Sequence, residues 1–160
     1  MKDKEMGREM PWEKQRELLM ESDAIRLPQL YWDLIAVYGE SQGKKMYEEL
    51  YDVSFKRRAA PFIGKDVEDI MEFELNFFPA LGWKIWIERK EENGEPVWYE
   101  HLDRCPHLDA CRKYNLPQPC EQVCDMDVKF GQRYKLATWQ RLKHMPSGDS
   151  ECMFRLTRCK

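Results

Sequence analysis

The sequence predicts an α+β protein, with N-terminal helices packed on an antiparallel sheet of about four strands formed by two hairpins. Two observations carry this. Between Pro11 and Pro79 the apolar residues recur at helical spacing, and from Gly82 onward they alternate two by two around turn signals. A chain of 160 residues buries a core without needing a metal or disulfides, so residues 1–160 are expected to form a single domain.

Residues 1–10, MKDKEMGREM, read as a polar lead-in to a helical part over residues 11–79. Pro11 suits the first turn of a helix through WEKQRELLMES. A second helix is predicted for LPQLYWDLIAVYGES, with Leu30, Leu34, Val37 and Tyr38 on its buried face and Pro28 and Gly39 marking its ends. GKKMYEELYDVSFKRRA repeats the pattern, with Met46, Leu50, Val53 and Phe55 inward. After PFIGK, Asp66 can cap VEDIMEFELNFF, whose Ile70, Phe73 and Phe77 face the core, and Pro79 ends it.

Residues 80–160 hold the sheet and a cysteine-rich segment. WKIWIERKEENGEPVWYEHLDRC alternates around Asn93-Gly94, which predicts a hairpin with strands near Lys84 to Arg89 and Val97 to Leu102. Trp86 and Trp98 fall on this sheet, where cross-strand packing outweighs ligand stacking as their use. Two short helices, Leu108 to Tyr114 and Cys120 to Phe130, flank an LPQP break. A second hairpin pairs Leu136 to Lys143 with Glu151 to Arg158 across PSGDS, and sets Cys152, Phe154 and Leu156 on one face.

With Lys+Arg 26 against Asp+Glu 29, the net charge of −3 gives no signature of nucleic-acid binding. The charged start lacks an apolar core of signal-peptide length, and no later run matches a membrane span. The expectation is a cytoplasmic protein with a small molecule as partner, no nucleic acid and no membrane. Its oligomeric state is left open.

The stretch CPHLDACRKYNLPQPCEQVCDMD, Cys105 to Asp127, concentrates four of the six cysteines, and a reducing compartment disfavours disulfides among them. One reading is a zinc or iron–sulfur site on Cys105, His107, Cys111, Cys120 and Cys124, although these lack the paired C-x2-C spacing of common zinc sites. Another is a nucleophilic thiol. On a helix Cys124 and Asp127 project to one side, which would set an acid beside a thiol. A carboxylate alone raises a thiol pKa, so that reading also requires a cation such as His107, Arg104 or Arg155 nearby. The third reading is a set of small buried hydrophobes, which suits Cys111 and Cys152; Cys159 is given no role.

The "RCP" at Arg104 to Pro106, the C-x2-D at Cys124 to Asp127 and the GD-x2-C-x-F-R at Gly148 to Arg155 resemble the L-2-amino-thiazoline-4-carboxylic acid hydrolase family over about the last 60 residues. The helical half is similar only in style, through WDLIAVYGES. The resemblance implies hydrolysis of a five-membered amidine-like ring to a carbamoyl-cysteine, by scission of a carbon–nitrogen or carbon–sulfur bond and without a required cofactor. It points to Cys105, Cys124, Asp127, Asp149 and Cys152, whereas His107, Cys111 and Cys120 look additional to the pattern. On that basis Cys124 or Cys152 is the candidate nucleophile, Asp127 and Asp149 are the acid and base, and Arg155 and Cys105 contact the substrate. The Gly-Asp turn with its Cys and Phe is also similar to 4-vinyl-reductase-like domains, which implies the alternative of a non-catalytic small-ligand domain. Convergence of Cys105, Cys124, Asp127 and Cys152 on one aromatic-lined pocket is the expectation that separates a site from scattered core thiols.

Overall fold

The computed structural model describes residues 9–159, so the expected lead-in lies outside the described residues apart from Glu9 and Met10. The described residues form five α-helices and a four-stranded antiparallel sheet, with the long helices first and the strands in the C-terminal half.

Helix α1, Trp12–Tyr38, runs straight through Pro28, where the sequence predicts a break between two helices. A proline lacks the N–H that would serve the carbonyl four residues back, here that of Ala24. His107 supplies the missing donor: its Nδ1 lies 2.6 Å from the Ala24 carbonyl oxygen. A contact made 83 residues away thus lets the helix continue. Gly39 alone, at φ 79°, separates α1 from α2, Glu40–Ala59. At Gly43 a Cβ would come within 2.7 Å of the Leu34 and Ile35 backbone, so glycine there lets the two helices touch.

The buried faces of these helices match the predicted ones only at Phe55 and, in part, Leu34. In α2 the buried stripe is Gly43, Tyr47, Tyr51, Phe55 and Ala59, spaced by four, while Leu50 and Val53 are exposed. In α1 it is Ala24, Pro28 and Tyr31, while Leu30, Val37 and Tyr38 are exposed. Tyr47 and Tyr51 go inside because their hydroxyls find partners there: Tyr47 donates to the Gln122 carbonyl at 2.6 Å and Tyr51 to Asp127 Oδ1 at 2.7 Å. Helix α3, Val67–Phe77, begins as predicted at Asp66, which forms a reciprocal capping box with Asp69.

Strands β1, Lys84–Glu92, and β2, Glu95–Arg104, are joined at Asn93 and Gly94, with φ values of 55° and 81° that match the predicted tight turn. Helix α4, Pro106–Lys113, starts at Cys105, whose Sγ accepts from the Leu108 N–H at 3.4 Å. Helix α5, Cys124–Arg133, starts later than predicted because Gln122 and Val123 first form a turn onto the Pro119 carbonyl, leaving Cys120 outside it. Strand β3, Thr138–Lys143, also starts late, since the Leu136 N–H is bound at the end of α5 by the Gly131 carbonyl at 2.9 Å. Strand β4 is Cys152–Thr157, and the sheet order is β1-β2-β4-β3. One face of the sheet, with Trp98, Leu102, Phe154 and Leu156, meets the aromatic stripe of α2 and Phe130 of α5 in a single core. No helix among the described residues is long and apolar enough to cross a membrane.

Candidate active site

The core is not filled to its centre. A cavity of about 360 Å³ lies between the five helices and the inner face of the sheet. Its apolar walls include Phe73, Phe77, Phe78, Trp83 and Trp139. Phe73 and Phe77, predicted to face inward, stack with ring centroids 5.0 Å apart and still expose 42% and 45% of their surface because they line this space.

Helix α5 contributes Cys124 and Asp127, the pair that its spacing placed on one side. The Asp127 side chain keeps 43% accessibility. It accepts from the Tyr51 hydroxyl at 2.7 Å and pairs with Arg58 at 3.5 Å. Burial raises its pKa, against the pull of Arg58 and Tyr51, so this carboxyl holds a proton more readily than an exposed aspartate. His107 lines the cavity from α4. A carbonyl oxygen can only accept, so the contact with Ala24 assigns the proton to Nδ1 and leaves Nε2 as the basic nitrogen. Burial lowers the His107 pKa and favours this neutral form. Arg26 and Arg58 complete the basic part of the wall, and Glu74 of α3 and Glu100 of β2 the acidic part.

Behind Cys124 lies a second thiol. Cys120 Sγ is 2.9 Å from His144 Nε2, and the His144 ring is held by Ser147 Oγ at 2.8 Å from Nδ1. A hydrogen bond from the Cys124 thiol, with help from His144 and Arg141, brings Cys120 down to about 6. The same bond, joined by burial, pushes Cys124 well above the ordinary thiol range. Two sulfurs therefore share one labile proton, with the sulfur that faces the cavity holding it.

The sequence profile of the L-2-amino-thiazoline-4-carboxylic acid hydrolase family matches residues 16–156, which runs from the second turn of α1 through Leu156 of β4. The chain belongs to this family. The resemblance visible in the C-terminal motifs thus extends through the helical half. A search among curated proteins finds no match.

Of the family positions singled out by sequence, Cys124 and Asp127 line the cavity, and the others do not. Cys105 is a buried helix cap pushed up to about 12 by burial. Cys152 is buried on β4 and its Sγ accepts from the Met145 N–H at 3.3 Å. Asp149 is exposed beside Gly148, at φ 103°, and its Oδ2 accepts from the His144 N–H at 2.7 Å. Arg155 points away from the core, as alternation with Phe154 and Leu156 requires, and binds Glu92 at 2.5 Å. The expected four-residue convergence is therefore limited to Cys124 and Asp127.

The zinc or iron–sulfur reading of the hydrolase-family chain gains no support. Among the described residues no three His, Cys, Asp or Glu side chains gather to hold a metal ion. His107 is taken by Ala24, Cys105 by Leu108 and Cys120 by His144. All six cysteines are unpaired, and Cys111 is a buried side chain raised to about 11 by burial.

Sequence reasoning missed His144, Arg58, Glu74 and Glu100. Two of these carried a signal. Glu74 stands four residues after Ile70 on the apolar side of its helix, and Glu100 occupies the inward register between Trp98 and Leu102.

Proposed function

We propose that the chain hydrolyses a small cyclic amidine bearing a carboxylate, of the 2-amino-thiazoline-4-carboxylate type, inside the central cavity. The observation that carries this is the placement of the Cys124 thiol, backed by Cys120 and His144, in an aromatic cavity that also holds Asp127, His107 and two arginines. A product that keeps both nitrogens on the former C2, as a carbamoyl-cysteine does, requires scission of the ring carbon–sulfur bond.

In the first step Cys124 Sγ adds to C2 of the protonated, amidinium form of the ring, which leaves both nitrogens neutral, while the thiol proton passes to Cys120, whose thiolate is stabilised by His144 and Arg141. The ring carbon–sulfur bond breaks, and its electron pair leaves on sulfur, which takes a proton from Asp127. The intermediate is an isothiouronium on Cys124. Water then adds to the same carbon with His107 Nε2 as base. The hydroxyl electrons of the adduct expel Cys124 as its thiolate, which recovers its proton from Cys120; the hydroxyl proton passes to solvent as the carbamoyl carbonyl forms, and His107 returns its proton to Asp127. Arg26 and Arg58 offer the carboxylate a bidentate partner, the task that the sequence assigned to Arg155.

Turnover of L-2-amino-thiazoline-4-carboxylate, followed by chromatography of the carbamoyl-cysteine, tests the reading. Wild type should form product, Cys124→Ser should form none with an unchanged circular-dichroism spectrum, and Arg155→Ala should retain activity. Wild-type protein that binds the compound without converting it would place the chain with the non-catalytic alternative.

A further inference from the structure

The acidic wall of the cavity has no counter-charge. Glu74 Oε2 is buried with no hydrogen-bond partner among the described residues. Glu100, 5% exposed on β2, lines the same space, and neither side chain forms an ion pair among the described residues. Buried carboxylates are ordinarily paired, since an unpaired one loses its hydration without return. Two of them on one cavity wall, from elements as separate as α3 and β2, are the complement of a charge that the ligand brings.

From this we infer that Glu74 and Glu100 form the seat of a planar amidinium group, with the flat aromatic walls enclosing the rest of the ligand. The inference rests on the proposed function for the cavity being a reaction site, and it assigns the substrate's cationic end to these two residues. A flat delocalised cation suits the place better than a compact ammonium. It offers two parallel N–H donors to carboxylate oxygens and lies flat against the face of a wall ring such as Phe73 or Phe77. The carboxylate end of the ligand is left to Arg26 of α1 and Arg58 of α2, so the two charges of a zwitterion are met by different elements of the wall.

The empty pair stays largely protonated. Burial, reinforced by Glu100, lifts Glu74 well above the ordinary range, and burial with the Asp127 charge lifts Glu100 to about 8. Seating a cation ionises the pair and releases protons, so affinity should increase as pH rises toward 8. The other titratable groups on the wall are Asp23 and Arg26 of α1, Tyr51 and Arg58 of α2, His107 of α4, and Cys124 and Asp127 of α5. Of these, Asp127 also favours a cation and the arginines oppose one.

Benzamidine, benzamide and benzylamine separate the possibilities on the full-length protein, because none is a substrate for ring opening and binding is read without turnover. Calorimetry at pH 7.5 should give benzamidine at least about tenfold tighter than benzamide, which has the same shape without charge. Repeating it in buffers of different ionisation enthalpy should show proton release. Glu74→Gln and Glu100→Gln, which keep shape and remove charge, should each erase most of that preference. Benzamide binding as tightly as benzamidine, or no benzamidine binding at millimolar concentration, would overturn the inference. Equal binding of benzylamine would overturn the amidinium assignment. If the seat is confirmed while L-2-amino-thiazoline-4-carboxylate is not turned over, the proposed reaction fails and the seat stands.

Discussion

At the scale of single residues, the proposed chemistry turns on the proton between Cys120 and Cys124. The sequence singles out Cys124 for its helical spacing to Asp127, and that spacing does bring both to the cavity. It could not show that a second sulfur, held by His144, would take the ionised role, because His144 comes from a separate turn 24 residues on. Alkylation by iodoacetamide, followed residue by residue with mass spectrometry, should show Cys120 reacting with a midpoint near 6, while Cys124, which holds the proton, and Cys105, Cys111 and Cys152, all raised by burial, stay inert at neutral pH. His144→Ala should move that midpoint upward. An unchanged midpoint would remove His144 from the pair.

Glu100 belongs to the same scale and leaves a mark on stability. Its folded pKa, about 8, lies above the ordinary glutamate value, so the folded chain binds the proton more tightly than the unfolded one. Stability is then fully present below the unfolded pKa and declines as pH rises through the folded one, by on the order of a few kcal/mol. Denaturant titrations from pH 5 to pH 9 should show this decline in wild type and a flatter profile in Glu100→Gln. Identical profiles would mean that Glu100 ionises freely in the fold.

At the scale of elements, the hairpins were legible because their information is local: Asn93-Gly94 and the two-residue alternation specify a tight turn and a register without help from elsewhere. The helices were legible in existence, apart from the break expected at Pro28, but in face only at positions such as Phe55 and Ile70. The α2 stripe reads as polar because it is built on Tyr47 and Tyr51, whose hydroxyls are satisfied only by the segment from Gln122 to Asp127. Pro28 was read as a break for the same reason, since the donor that bridges it is His107 on α4. Asp149 and Cys152, prominent in the family motif, shape the turn that carries His144. Pro28→Ala should restore the helical N–H, recapture the Ala24 carbonyl and free His107 Nδ1. Nitrogen-15 spectra of the imidazole should then show loss of the Nδ1–H form, whereas an unaltered spectrum would mean that the ring is fixed by other contacts. Gly43→Ala should cost about 1–3 kcal/mol in denaturant unfolding, because its Cβ meets the α1 backbone at 2.7 Å; full stability would show that the α1–α2 approach is adjustable.

At the scale of the whole molecule, the helical half and the sheet half each supply part of one cavity, and neither holds the chemistry alone. Helices α1 to α3 bring the arginines and Glu74, the sheet brings Glu100, and the cysteine segment brings Cys124, Asp127 and His107. The family match across residues 16–156 is consistent with a site assembled from both halves. Acid quenching of the protein within the first turnovers of L-2-amino-thiazoline-4-carboxylate, followed by peptide mass spectrometry, tests directly whether Cys124 reacts in that cavity. The peptide containing Cys124 should carry one added substrate mass, absent from Cys124→Ser; product formation with no adduct on Cys124, at a rate that Cys124→Ser preserves, would contradict it.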